Sequence, residues 1–232
     1  MSEGTRDRFK DAVWLNYTAP LTLIGVGGIG SWVGLLLYKM GYKLDIFDFD
    51  KLEEVNIGSQ LYPLSSCGSY KINAFNDVLN FFNSKDSSSV IGRISRFDKD
   101  TPINSIVICA VDNMETRELS SALWFEEGNK AEWKGTWLFI DGRMDAETME
   151  VFTLTCAEDY MKYREHLFPD SDVEHAPCSF KATPYTSALI ASRITSCIVN
   201  HITNCLDTTS KRSVPFYIHE IIPLMLSETN EH

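Results

Sequence analysis

Six residues dominate what this chain can fold into: Gly25-Val26-Gly27-Gly28-Ile29-Gly30. They end an apolar run, Leu21 to Val26, and open a stretch in which Ile29, Val33, Leu36 and Met40 recur at helical spacing before Gly41. The pattern is a buried strand, a tight turn and a helix. In that setting the first glycine makes the turn, the second lets backbone approach a pyrophosphate, and the third lets the helix pack closely, with phosphate at the positive helix end. Asp48 closes a second predicted strand, Lys43 to Phe47, 48 − 30 = 18 residues beyond the loop. An acid there accepts a ribose hydroxyl. A turn that merely needs glycine would not bring the strand, the helix and the acid with it, so Gly25, Gly27, Gly28, Gly30 and Asp48 read as a nucleotide site.

The alternation continues downstream. Ile72, Phe75, Leu79 and Phe82 mark an amphipathic helix, and Val90 to Ile94 a short strand. Ile106 to Val111 is a strongly apolar strand, followed by a helix from about Asn113 to Glu127. Trp137 to Ile140 and Val151 to Thr155 complete the expected sheet. Strand and helix in alternation predict an α/β fold: a doubly wound, mostly parallel Rossmann-like sheet, open at the carboxyl ends of its strands. Glu158 to Lys181 is polar, carries Pro169 and Pro177, and reads as a long loop in the C-terminal half. Thr183 as N-cap and Pro184 then start a helix bearing Leu189, Ile190, Ile194, Ile198 and Ile202. Val214 to Leu226 reads as a closing strand plus a tail. No linker interrupts the pattern, so residues 1–232 are expected to form one domain.

Composition excludes some functions. In 232 residues, 21 Lys+Arg stand against 32 Asp+Glu, a net charge of −11. A nucleic-acid binder needs the opposite surplus. No apolar span approaches about 20 residues, and the first residues are charged, so no membrane association is expected and the chain should work in the cytoplasm. The six cysteines form no C-x-x-C pair, which argues against a zinc ribbon. Cys109, Cys197 and Cys205 read as buried reduced thiols.

Three further segments follow the glycine loop in order. They are Asp48-Phe49-Asp50-Lys51-Leu52-Glu53-Glu54-Val55-Asn56-Ile57-Gly58-Ser59-Gln60, then Gly68-Ser69-Tyr70-Lys71, then Val111-Asp112-Asn113-Met114-Glu115-Thr116-Arg117. The series resembles the ThiF/MoeB/HesA-type adenylyltransferases, the superfamily that includes the ubiquitin-activating enzymes. Their pattern has the glycine loop, an acid-x-acid after the second strand, Asn-x-x-Arg-Gln, a lysine after a glycine, and Asp-Asn at the end of the fourth strand. The resemblance runs from Leu21 to about Arg117 and resumes at Pro177-Cys178. It implies activation of the C-terminal carboxylate of a small ubiquitin-like or sulfur-carrier protein or peptide as an acyl-adenylate, with ATP and Mg²⁺, by a homodimer. It also implies that Asp48 holds the ribose, that Asn56 and Lys71 reach the phosphates, that Asp50 and Gln60 complete the nucleotide-binding motif, and that Asp112 binds Mg²⁺. Each has a plainer reading beside it: Asp112 could cap the helix it precedes, Asn56 could close an Asx turn, and Lys71 could be a solvated helix residue.

The pattern breaks at one point. Where the family has Asn-x-x-Arg-Gln, this chain has Ser59, and a hydroxyl does not replace a bidentate guanidinium. Arg143, just after a predicted strand, is the candidate substitute, with a plain surface arginine as the alternative. Arg6 and Arg8 are the only arginines upstream of the loop. Cys178 lies before the Thr183-Pro184 helix start, near His175 and Lys181, where a thiolate would be favoured. It is either an acyl-accepting nucleophile, as in some relatives, or an ordinary loop cysteine. Two other functions stay open: a nucleotide-binding scaffold that has lost turnover, and a nicotinamide-dependent dehydrogenase, for which no hydride-handling set is evident.

Overall fold

The computed structural model describes residues 8–82, 89–169 and 182–232. Its eight strands are β1 (Leu21–Ile24), β2 (Leu44–Phe47), β3 (Val90–Arg93), β4 (Ile106–Cys109), β5 (Leu138–Asp145), β6 (Thr148–Leu154), β7 (Tyr217–Ile221) and β8 (Leu226–Asn230). They form one sheet in the order β3-β2-β1-β4-β5-β6-β7-β8. β3 to β5 in that order are joined by parallel ladders, and the remaining pairings are antiparallel. The sheet reverses direction of winding between β1 and β4, the place where folds of this kind open a ligand crevice.

Helices cover both faces. α1 (Gly28–Met40), α2 (Lys71–Phe82) and α5 (Pro184–Leu206) bury Val33, Leu37, Phe75, Ile190, Ile194 and Ile198 against one face, together with Leu21, Leu23, Ile108 and Ile140. α3 (Met114–Lys130) and α4 (Ala157–Tyr163) cover the other, where Trp124 and Tyr163 pack on Val107, Cys109, Phe139 and Phe152. β1 and β4 are buried along their whole length, which is why, apart from Thr22, they carry apolar residues without alternation. α1 ends where Gly41, at φ 91°, returns its amide to Leu37 and Tyr38.

The C-terminal half differs from expectation in three places. β5 does not stop at Ile140: it runs on past its parallel partner β4 and pairs with β6 as a hairpin, Asp145 opposite Thr148. The two-residue connection starts at Ala146 with φ 51°, a conformation usually given to Gly or Asn, so no turn signal marks it in the sequence. Leu226 is not a tail but starts β8, which pairs with β7 after a left-handed residue at Met225. The polar stretch from Glu158 begins as helix α4 and a 3₁₀ turn to His166. Tyr160 and Tyr163 anchor it under the sheet, and Asp159 accepts hydrogen bonds from the amide and hydroxyl of Thr155. Residues 170–181, with His175, Pro177, Cys178 and Lys181, lie outside the described residues, as does Arg6.

Candidate nucleotide site

The glycine loop is shaped by contacts that leave no choice of residue at two positions. A Cβ on Gly25, at φ +85°, would lie 2.6 Å from the carbonyl oxygen of Ala110, and one on Gly30 would lie 1.9 Å from that of Gly25. Gly27 is different: its Cβ would meet nothing closer than 4.0 Å, the Gln60 amide nitrogen. The loop backbone is therefore closed against β4 and open where α1 begins. Gly27 caps α1 without a side-chain hydrogen bond, leaving the first-turn amides without a side-chain acceptor. On Gly28 the neighbouring atoms are the Met144 methyl and the hydroxyls of Ser59 and Ser187.

Asp48 ties the tip of β2 to this loop. One carboxylate oxygen accepts the Val26 amide at 2.9 Å and the other the Asp50 amide at 2.8 Å. Burial raises its pKa, opposed by the Lys71 charge and by both amides. Each oxygen keeps a second lone pair for a ligand. Residues 50–52 then pair with 68–71: Leu52 donates to Ser69, Gly68 to Leu52, and Lys71 to Asp50. That strap brings a lysine 21 positions away back to the strand tip, where its ammonium meets Asp50 at 2.7 Å.

The intervening segment is fastened onto α1. The Trp32 indole donates to the Ser59 carbonyl, Leu61 N–H to the Ser31 hydroxyl, and the Tyr62 hydroxyl to the Val26 carbonyl at 2.7 Å. Gln60 thereby lies beside Gly27 with its carbonyl oxygen buried and unpartnered among the described residues. The Asn56 side chain has no hydrogen bond among the described residues; its backbone carbonyl accepts from Ser59.

Across the crevice, Asp112 follows the tip of β4. It does not cap α3: Asn113 does, accepting the Thr116 amide at 2.9 Å. Asp112 is exposed, and its only hydrogen bond among the described residues is a 3.5 Å contact from the Asn113 amide. Among those residues no group of three or more His, Cys, Asp or Glu could enclose a metal.

Arg143 does not fill the gap at Ser59. It lies on the face of the sheet under α4, where Asp141 holds its Nε at 2.7 Å, the His166 carbonyl accepts at 3.0 Å, and Phe152 lies 4.7 Å beneath the guanidinium. The Ser59 hydroxyl instead faces Gly28, beside Met144 and Ser187. Nothing in local spacing assigns a role to Trp32 and Tyr62, which fasten this segment, or to Asp141 and Arg117 on the other face of the sheet. Asp141 alone left a signal, as an acid ending the apolar run Leu138-Phe139-Ile140. Cys205 also departs from expectation: it is exposed, with its sulfur 3.6 Å from the His201 ring. Cys109 and Cys197 are buried thiols pushed up by burial to about 12 and about 11.

A glycine loop between β1 and α1 of a doubly wound sheet, with an acid-and-lysine cluster at one strand tip and an exposed acid at another, defines a Rossmann-like α/β protein. The ThiF family model matches residues 18–222, and the chain belongs to that family. It is 32% identical over 133 residues to ubiquitin-like modifier-activating enzyme 5 of Aedes aegypti, and 30% over 143 residues to that of Drosophila melanogaster. These matches take in 47% and 51% of the chain and 33% and 35% of the relatives, so about a third of each relative is aligned. Among solved structures, PaaA superposes with a TM-score of 0.70 at 19% identity over 98% of this chain and 68% of that one. E. coli MccB with ATP gives 0.67 at 15% identity (94% and 64% covered), and E. coli TcdA, a tRNA N6-threonylcarbamoyladenosine dehydratase, 0.61 at 17% (86% and 92%). These likenesses show the fold. Among the described residues no helix is long and apolar enough to cross a membrane.

Proposed function

We propose that this protein binds ATP at the glycine loop and adenylylates the C-terminal carboxylate of a small ubiquitin-like protein or peptide. The observation that carries the reading is the crevice itself: a loop open at Gly27, with Lys71 and Asp112 at strand tips on either side of β1. The family supports it, as do the modifier-activating relatives and the fold shared with MccB, which has been solved with ATP and with the peptide MccA.

The chemistry asks little of the protein beyond placement. A C-terminal carboxylate is already ionised and needs no general base. Its oxygen forms a bond to the α-phosphorus as the bond to the β-phosphate oxygen breaks, and pyrophosphate leaves with the electron pair. Asp48 would accept the ribose hydroxyls. The amides of the α1 N-terminus and Asn56 would hold phosphate oxygens, with Gln60 beside them. Lys71 would exchange its half-exposed partner Asp50 for phosphate and neutralise charge as it builds. Asp112 suits Mg²⁺: an exposed carboxylate with no surrounding cage among the described residues fits an ion that keeps most of its water. When bound, that ion would supply charge neutralisation on the phosphates. A homodimer, the cytoplasm, and a role for Cys178 as acyl acceptor remain part of this proposal.

A scaffold without turnover is the second reading, favoured by Ser59 and by the commitment of Arg143 to Asp141. ATP–pyrophosphate exchange with Gly-Gly-ended peptides separates the two. We expect exchange with the free carboxylate, none with the amidated peptide, and a loss of about 10³-fold in Asp112→Ala. Calorimetric binding of Mg·ATP without exchange would select the scaffold, and no binding would sink both.

A further inference from the structure

Four polar side chains cluster on the opposite face of the sheet from the glycine loop, with Asp141, Arg117 and Tyr163 buried and Arg143 half-buried beside them. Asp141 is fully buried at the end of the parallel part of β5. It accepts from the Arg117 guanidinium, from Arg143 Nε at 2.7 Å and from the Tyr163 hydroxyl at 2.9 Å. Burying two cations and an anion is costly, and replacement by apolar side chains is often neutral or better for stability. A cluster of this kind in a core otherwise built from Trp124, Phe139 and Phe152 therefore calls for a reason beyond stability.

Arg117 supplies one. It lies on the first turns of α3, is 6% exposed, and spreads its donors over three acceptors: the Asp141 carboxylate, the Gly142 carbonyl and the Val111 carbonyl. Val111 is the residue immediately before Asp112, and its side chain lies against the glycine loop at Gly25. Asn113, immediately after, is fixed as the cap of α3. Asp112 is thus held from both sides through its neighbours while its own carboxylate stays exposed. We propose that Arg117 is a positioning residue: held by Asp141, it clamps the Val111 carbonyl and so aims the Asp112 carboxylate into the crevice. Only a planar fork with several donors does this; a lysine could keep the charge pair with Asp141 but not hold Val111 and Gly142 at the same time. Arg143 and Tyr163 complete the cage by donating to the other carboxylate oxygen of Asp141, and Arg143 also donates to the His166 carbonyl.

This inference rests on the proposed role of Asp112, and its test is arranged so that the two can fail separately. Arg117→Lys is the diagnostic variant, because it keeps the buried charge. In the ligand-free protein, amide hydrogen exchange over residues 110–116 should quicken by about tenfold while the sheet and α5 are unaffected. In a double-mutant cycle with Asp112→Asn, Mn²⁺ affinity of the ATP-loaded protein should fall about tenfold with Arg117→Lys alone and hardly further when it is added to Asp112→Asn. Unchanged exchange over 110–116 would overturn the inference. So would equal losses in both backgrounds together with a general loss of protection, which is what a purely structural arginine produces. Should the wild-type protein bind no Mn·ATP, the nucleotide reading falls, and hydrogen exchange alone decides whether Arg117 orders the β4 tip.

Discussion

Two carboxylates at the tips of the same sheet, Asp50 beyond β2 and Asp141 on β5, each hold a cation, with opposite consequences. The Asp50–Lys71 pair leaves the acid 49% exposed and the lysine 11% exposed. Asp141 is 0% exposed, and its arginines 7% and 12%. Water competes for the first pair, so the ion pair is worth little and an incoming phosphate can take the acid's place. The second acid is fully enclosed, so neither arginine can leave without stranding its charge. The same residue chemistry therefore yields an exchangeable cation on one side of β1 and a fixed framework on the other. The difference also decides which arginine could serve a ligand: Arg143 is on the fixed side.

The sharpest way to break this contrast is to remove the fixed acid. Asp141→Ala leaves Arg117 and Arg143 buried without a counter-ion and should cost about 3–5 kcal/mol in urea denaturation. A loss under about 1 kcal/mol would mean that water enters and that the two regions do not differ in kind. The next effect is pH-dependent. His201, on α5, is held by burial at a pKa of about 4, against 6.5 when free, and its hydrogen bond to the Trp137 carbonyl only partly offsets this. The unfolded chain takes up the proton first, so this contribution to stability is complete above pH 6.5 and is lost as pH falls from 6.5 towards 4. At about 1.4 kcal/mol per unit, wild type should lose roughly 3 kcal/mol over that range, and His201→Gln should remove that part of the slope. Equal slopes would mean that His201 is protonated where it stands.

These two regions also differ in how far the sequence exposes them. The parallel part was legible because its signals are local: apolar runs at β1 and β4, a glycine loop between strand and helix, and an acid at the tip of β2. Burial on both faces imposes such runs wherever a strand is central. The antiparallel part carried weaker signals. The β5–β6 hairpin turns at Ala146 rather than at Gly or Asn, so Arg143 read as a residue beyond a strand when it stands within one. Asp141 and its partners Arg143, Tyr163 and Arg117 come from three elements up to 46 residues apart (163 − 117), and nothing in local spacing brings them together. Asp112 shows the same limit at close range. Asp112 with Glu115 three residues later reads as a cap, and only the backbone direction leaving β4 gives that role to Asn113 instead.

Lys71 tests the exchangeable side. Lys71→Ala should lower turnover in pyrophosphate exchange by about 10²-fold while changing ATP affinity and stability little, because the charge it supplies matters most as pyrophosphate departs. If stability fell as far as in Asp141→Ala, the lysine would be as structural as the arginines, and the contrast would collapse from the other end.

The smallest effect asks whether Asp112 is free of structural duty. Asn113→Ala deletes the acceptor for the Thr116 amide and should cost about 1 kcal/mol, recovered by Asn113→Asp. Asp112→Ala removes no cap and should cost less than about 0.5 kcal/mol, within the range of an ordinary surface change. The two numbers are informative together. A carboxylate one position upstream of a lost cap can move into its place, so Asn113→Ala could spare stability by recruiting Asp112 to the helix, and exchange activity would then fall although the mutated side chain faces no ligand. Equal stability losses at 112 and 113 would show that both residues share the cap, and Asp112 would then be held by α3 rather than presented by β4.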